Sequence, residues 1–286
     1  MDFLSPTSWA EALAAKAAYP EAVPIAGGTD VMVELNFDRR RPPALLDLTR
    51  IGELVEWGTD GGLLRVGAGV TYRRIIAELG DRMPGLAMAA RTVGSPQIRN
   101  RGTVGGNLGS ASPAGDALPP LLAAGGLVEL ASVRGVRRLP VAEFFTGPKR
   151  SVRAPDELIA AFLLPMERGR HQFAKIGTRN AMVIAVCSFA LALRPATGEV
   201  GTGIGSAGPT PLRAVDAERF LAGELPWQTG AGLPDPLIRR FGELVVAAAA
   251  PIDDVRGSAA YRRHALSVLA RRTLVWAWEE YRREGP

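Results

Sequence analysis

A single cysteine, Cys187, and two histidines, His171 and His264, are scattered through 286 residues. One cysteine excludes an intrachain disulfide and a cysteine-ligated iron–sulfur cluster. Two distant histidines leave no zinc-ligand pattern, so no metal residues are expected here. Aromatic residues make up only 6% of the chain, and no recognised nucleic-acid motif accompanies them. The net charge of +5 is carried largely by arginine, in Arg39-Arg40-Arg41, Arg137-Arg138, Arg262-Arg263, Arg271-Arg272 and Arg282-Arg283. Without interleaved aromatics, these read as solvated faces or a subunit interface, not a nucleic-acid surface. No uninterrupted apolar run reaches the ~18 residues of a membrane span. The N-terminus Met1-Asp2-Phe3-Leu4-Ser5-Pro6 has neither a basic nor an apolar leader region, so a cytoplasmic protein is expected.

What the chain does have is glycine. Gly102, Gly105, Gly106 and Gly109 lie close together in Arg99–Asp116, interleaved with Thr103, Asn107, Ser110 and Ser112. Bare backbone of this kind approaches a ligand closely, and successive N–H groups can form anion-holding nests. On composition alone, a glycine-rich surface loop closing in Asp116 as an N-cap fits as well. A second stretch, Ala26-Gly27-Gly28-Thr29-Asp30, follows a short strand at Ala22–Ala26. Two anion nests suit a diphosphate-bridged dinucleotide better than one phosphate. Gly203-Ile204-Gly205-Ser206-Ala207-Gly208 matches G-x-G-x-x-G literally, yet Pro209 and Pro211 follow at once and no acidic residue stands at the required spacing. It reads as a strand ending in a glycine turn.

Apolar patterning gives short helices and strands. Ser8 is a candidate N-cap for Trp9–Ala18, and Thr71 for a helix over Tyr72–Leu79; Gly85–Val93 reads as a further helix. Strands are expected at Ala44–Leu48, Leu63–Val70, Leu127–Ala131, Arg137–Val141 and Leu158–Leu164. There is no regular βαβ rhythm. Pro165-Met166-Glu167-Arg168-Gly169-Arg170 is the best linker. Beyond it, Gln172–Ile176, Val183–Leu193 and Glu199–Ala207 suggest a small antiparallel sheet, followed by helices over Pro211–Leu221, Leu237–Ala250 and Ser258–Arg283.

Ala26–Asp30 together with Thr103–Asp116 (TVGGNLGSASPAGD) closely resembles the FAD-binding medium subunit of molybdenum hydroxylases, the xanthine dehydrogenase and carbon monoxide dehydrogenase type. The likeness continues through Lys175-Ile176-Gly177-Thr178-Arg179 and Asp253–Arg262, spanning nearly the whole chain. It implies an α+β protein: a two-subdomain FAD-binding fold of the vanillyl-alcohol-oxidase/PCMH type over 1–167, with a subdomain boundary near 55–60. A small α+β C-terminal domain of antiparallel sheet and helices follows over 168–286. It also implies noncovalent FAD. By this likeness Ala26, Gly27, Gly28, Thr29 and Asp30 form one diphosphate loop and Thr103, Gly106 and Asn107 the other, with Ser112 and Asp116 beside it. Asp116 corresponds to an acidic residue on a ribose hydroxyl, Ile159 to an apolar neighbour of the ring system, and Lys175 to a basic residue near the flavin. The resemblance implies an electron-transfer subunit with no catalytic acid or base of its own. Electrons would arrive from [2Fe–2S] clusters of a small subunit, fed by a large molybdenum-cofactor subunit, and leave to NAD⁺ or another acceptor. The expected assembly is a dimer of heterotrimers. The AGGTD loop leans towards the purine and aldehyde members. A carbon monoxide dehydrogenase medium subunit, a stand-alone FAD oxidoreductase of the same fold, and a non-catalytic nucleotide-binding module are the other readings.

Overall fold

A computed structural model describes residues 1–166 and 169–284; Glu167 and Arg168, in the expected linker, lie outside the described residues. The chain opens with β1 (Asp2–Leu4), α1 (Trp9–Ala18), β2 (Val23–Ile25), α2 (Val31–Asn36) and β3 (Ala44–Asp47). These strands form a parallel sheet in the order β1-β3-β2. A short βαβ rhythm therefore exists where none was expected, because strands of three or four residues are too brief to show a period. Ser8 caps α1 by accepting from the Glu11 N–H at 3.3 Å. Lys16, buried in the last turn of α1, donates to the carbonyls of Pro20 and Ala22, both at 2.7 Å. Those bonds fix the chain that enters β2.

After a 3₁₀ turn at Gly52–Val55 come β4 (Trp57–Asp60), β5 (Leu63–Gly67), α3 (Tyr72–Glu78), α4 (Pro84–Thr92), α5 (Pro96–Arg101), α6 (Val104–Ser110) and α7 (Leu118–Ala123). Then follow β6 (Leu127–Ser132), β7 (Gly135–Pro140), α8 (Val141–Phe144), β8 (Phe145–Gly147), β9 (Arg150–Ser151) and β10 (Leu158–Pro165). Five of these strands make an antiparallel sheet, β4-β5-β10-β6-β7. Central β10 is buried from Leu158 to Leu164, which explains its continuous apolar run. A register shift between Ile159 and Ala161 leaves Ala160 as a bulge, and its carbonyl accepts from the Ala68 N–H at 2.9 Å. Bulges of this kind re-aim neighbouring side chains.

The third part comprises β11 (Arg170–Ile176), β12 (Cys187–Arg194), β13 (Glu199–Gly205), α9 (Val215–Glu224), α10 (Asp235–Ala247) and α11 (Ala259–Glu284). Its antiparallel sheet has two unlike faces. Phe189, Leu191 and Leu193 pack with Phe241 and Trp278 in a core of their own. The opposite face carries Ala190 and Ala192, which cluster with Ala89, Ala123 and Phe173. The strand register sets Ser188, Ala190 and Ala192 beside Gly205, Gly203 and Gly201, and beside Lys175, Phe173 and His171. That small-residue face allows β13 to lie directly on α7: a β-carbon on Gly203 would sit 2.0 Å from the Pro119 carbonyl oxygen, and one on Gly201 2.0 Å from that of Ala123. The G-x-G-x-x-G match is thus a packing stripe.

Several expectations shift. The stretch Val183–Val186 is not strand, β12 beginning only at Cys187, and the helix expected from Pro211 starts at Val215. Several arginines serve the fold internally: Arg137 binds Glu157 (2.6 Å), Arg138 binds Glu129 and Asp60, and buried Arg262 binds Asp254 (2.6 Å) and the Ser206 carbonyl (2.5 Å). The Asp253–Arg262 motif therefore ties the start of α11 to the end of β13, with Asp253 accepting from the Ala259 N–H at 2.5 Å. Burial pushes the Cys187 thiol up to about 12, leaving an inert core residue.

Candidate functional site: a glycine-lined cleft

β2 delivers the chain into Gly27 and Gly28. Gly28 has φ +76°, open to glycine at little cost. A β-carbon on Gly27 would lie 1.9 Å from the Arg101 carbonyl oxygen, so this glycine lets the first motif touch the end of α5, directly before the second motif. The second motif is a helix, not the open loop read from its glycines. Thr103 caps α6, its hydroxyl accepting from the Gly106 N–H at 2.8 Å, and Ala111 ends it at φ 45°. Within α6 the glycines divide by face. Gly105 packs on Ala68, where a β-carbon would approach within 2.4 Å, whereas at Gly106 it would meet only Thr103 Oγ1 at 3.1 Å, and at Gly109 only Ile159 Cδ1 at 3.6 Å. Three positions apart, Gly106 and Gly109 share one helix face.

That face borders a cleft of about 470 Å³, within the range of small-molecule sites. Eleven of the residues singled out in the sequence line it: Ala26, Gly27, Gly28, Thr29, Asp30, Thr103, Gly106, Asn107, Ser112, Asp116 and Ile159. Lys175 is not on the lining but reaches it through Asp116, donating from Nζ to Oδ2 at 2.6 Å and to the Thr92 carbonyl at 3.1 Å. Both side chains of this pair are almost fully buried. Burial raises the Asp116 carboxyl to about 6 in spite of the Lys175 charge, which works the other way. Asp116 is not the helix cap considered above. The Ala117 N–H is taken by Asn107 Oδ1 at 3.2 Å, and Asp116 Oδ1 is buried with no hydrogen-bond partner among the described residues.

The sequence alone does not mark the other lining residues as site residues; it reads Arg40 with its neighbours as a solvated or interface face. Arg40, Lys149 and Arg153 make one end of the cleft basic. Arg40 and Lys149 both pair with Glu34 on α2, and Arg153 donates to the Glu157 carbonyl at 3.2 Å. Met182, Val183 and Ile184, between β11 and β12, add an apolar wall from the third part of the chain. Arg179 holds that segment by donating from Nε to the Met182 carbonyl at 3.1 Å. Tyr72, at the start of α3, also lines the cleft. A bare backbone face, a basic end, an apolar wall and an unpaired buried carboxylate oxygen fit a large ligand with phosphate, hydroxyl and ring portions. Among the described residues, no helix is long and apolar enough to cross a membrane.

Residues 1–167 match the family described as FAD binding domain in molybdopterin dehydrogenase, and residues 172–277 match CO dehydrogenase flavoprotein C-terminal domain. The chain is 31% identical over 277 residues to the xanthine dehydrogenase FAD-binding subunit of Escherichia coli O157:H7, covering 93% of this chain and 91% of that one. It is 29% identical over 282 residues to the carbon monoxide dehydrogenase medium chain of Afipia carboxidovorans, covering 96% and 95%. A solved structure of reconstituted CO dehydrogenase from Oligotropha carboxidovorans superposes with a TM-score of 0.91 at 27% identity, covering 98% of both chains. The glycine motifs, the two-part fold and these matches together establish that the chain belongs to the family of FAD-binding subunits of molybdenum hydroxylases.

Proposed function

We propose that the cleft holds one noncovalent FAD and that the chain relays electrons within a molybdenum hydroxylase complex. When bound, the flavin supplies the redox chemistry; the chain binds, orients and tunes it. The carrying observation is the bare face of Gly106 and Gly109 on the same cleft as the Gly27–Gly28 turn, where backbone can meet a diphosphate. In this reading Gly27–Asp30 and Thr103–Asn107 flank the diphosphate, with Ala26 and Ser112 at its edges. Asp116 accepts from a sugar hydroxyl, Ile159 borders the ring system, and Lys175 keeps positive charge nearby. The division into residues 1–167 and 168–286, with a subdomain boundary near 55–60, belongs to the same reading. So does a cytoplasmic location.

The single cysteine provides no cluster that could feed the flavin. The remaining centres therefore belong to partners: [2Fe–2S] clusters in a small subunit and the molybdenum cofactor in a large one, assembled as a dimer of heterotrimers. NAD⁺ is the proposed acceptor, and a purine- or aldehyde-type substrate is turned over in the large subunit. The purified chain should be yellow and release FAD, not FMN, on heating or acidification, as read by chromatography. Colourless protein that takes up no FAD overturns the cofactor reading. Native mass measurement after tagging the subunit in its own host tests the assembly, and a lone monomer with substrate-dependent turnover overturns it.

A further inference from the structure

Two residues that line this cleft each carry a buried polar atom with no hydrogen-bond partner among the described residues: Asp116 Oδ1 and the hydroxyl of Tyr72. Unpaired buried groups are uncommon, and two on one cleft point to something that both serve. The phenol has a proton to give and the carboxylate oxygen a lone pair to offer. A hydroxyl group donates and accepts at once, and Asp116 is close enough to act on the Tyr72 phenol electrostatically, so one hydroxyl between them could serve both. The Thr92 hydroxyl also stands near enough to Asp116 to draw its carboxyl down, but its own proton goes to the Ala89 carbonyl at 2.8 Å.

Both side chains are held in place. The Tyr72 N–H donates to the Gly102 carbonyl at 3.0 Å, Thr71 bridges to Thr103, and the Tyr72 ring lies against Gly102, where a β-carbon would come within 3.3 Å of Cδ2. Tyr72 is thereby locked to the backbone that enters α6. Asp116 is locked by Lys175. Burial, reinforced by the Asp116 and Asp30 carboxylates, pushes the phenol well above its usual range, so it stays a donor at every working pH.

We infer that Tyr72 is a further cofactor-binding residue, its phenol and the Asp116 carboxylate together holding one hydroxyl of the polyol portion of the flavin nucleotide. The inference rests on the FAD reading above. Ribityl chain and ribose share this chemistry, and half-ligands separate them: riboflavin carries only the first, ADP only the second.

The test compares flavin-stripped full-length chain with Tyr72→Phe, measuring Kd for FAD, riboflavin and ADP, together with the melting temperature of the stripped proteins. Tyr72→Phe should bind FAD about three- to tenfold more weakly, the loss of one hydrogen bond. The same loss should appear with riboflavin or with ADP, but not with both. The melting temperature should not fall, because the hydroxyl has no partner among the described residues. In Tyr72→Phe/Asp116→Asn the two losses should combine less than additively, since both variants release the same group. FAD affinity within twofold of wild type, a lowered melting temperature with equal loss for both half-ligands, or strictly additive losses would each overturn the assignment. Wild-type chain that binds no FAD removes the cofactor reading itself, whereas wild type that binds alongside an unaffected Tyr72→Phe removes only the role of Tyr72.

Discussion

On α6, a β-carbon added to Gly106 or Gly109 would meet one side-chain atom each, at 3.1 and 3.6 Å; on β13, one added to Gly201 or Gly203 would lie 2.0 Å from a backbone carbonyl oxygen of α7. The two regions are equally rich in glycine. One leaves two of its three missing side chains, at Gly106 and Gly109, facing a cleft, and the other has a second piece of the chain pressed into the gap. The meaning of a glycine motif thus lies in what stands opposite the absent β-carbon. Gly27 shows that a ligand loop can hold both kinds, since its neighbour is the Arg101 carbonyl at 1.9 Å, whereas a β-carbon on Gly28 would come no nearer than 3.3 Å to Met32 Cγ.

Valine substitution breaks the comparison open most strongly on the packed side. Gly203→Val forces a branched side chain into the Pro119 carbonyl, and neither backbone can retreat without parting the sheet from α7. Overpacking of this kind should destabilise by on the order of 3 kcal/mol or more, seen as a melting temperature lower by about 10 °C. On the cleft side, Gly106→Val should melt close to wild type, while FAD affinity falls about a hundredfold as the side chain occupies the ligand's place. Fluorescence titration beside thermal melts reads both. If Gly106→Val melted early with its FAD affinity intact, the α6 glycines would be packing glycines too.

Much of this architecture is written locally. The run Leu158–Leu164 announces a doubly covered central strand, and Ser8 and Thr71 mark helix starts that the structure keeps, both side chains accepting from the third residue onward. In the third part, alternation separates Phe189, Leu191 and Leu193 from Ala190 and Ala192, and the same alternation turns Lys175 towards Asp116. Other features are tertiary. Three glycines in seven residues hide the helical character of α6, although Thr103 stands where a cap belongs. The parallel pairing of β1 with β3 rests on three residues a side. Nothing near Tyr72 in sequence marks its hydroxyl as unpaired; that depends on Gly102 and Asp116, which only folding brings to it.

Asp116 belongs to both regions, with one carboxylate oxygen on Lys175 of the docked sheet and the other unpaired on the cleft, and pH separates the two roles. Burial holds its carboxyl at about 6, against about 3.9 in an unfolded chain. Between these values the folded chain binds more protons than the unfolded one, so the Asp116 share of stability is full below pH 4 and is lost as pH rises through 6. Glu157, held low chiefly by its hydrogen bond from Arg137, acts in the opposite sense, losing its contribution as pH falls. Glu129 does the same, because hydrogen bonds from Arg65 and Arg138 outweigh its burial. The difference between wild type and Asp116→Asn isolates the one carboxyl. For flavin-free protein in denaturant titrations, the two should be nearly equal below pH 4, where Asp116 is a neutral acid of the same shape in the folded and the unfolded chain alike. At pH 7 the variant should be more stable by on the order of 2–3 kcal/mol. Saturating FAD should reverse that ranking, because the ligand hydroxyl then gives the charged oxygen the partner it lacks. A difference curve flat with pH, or one that FAD leaves unchanged, would place Asp116 wholly on the packed side of the comparison.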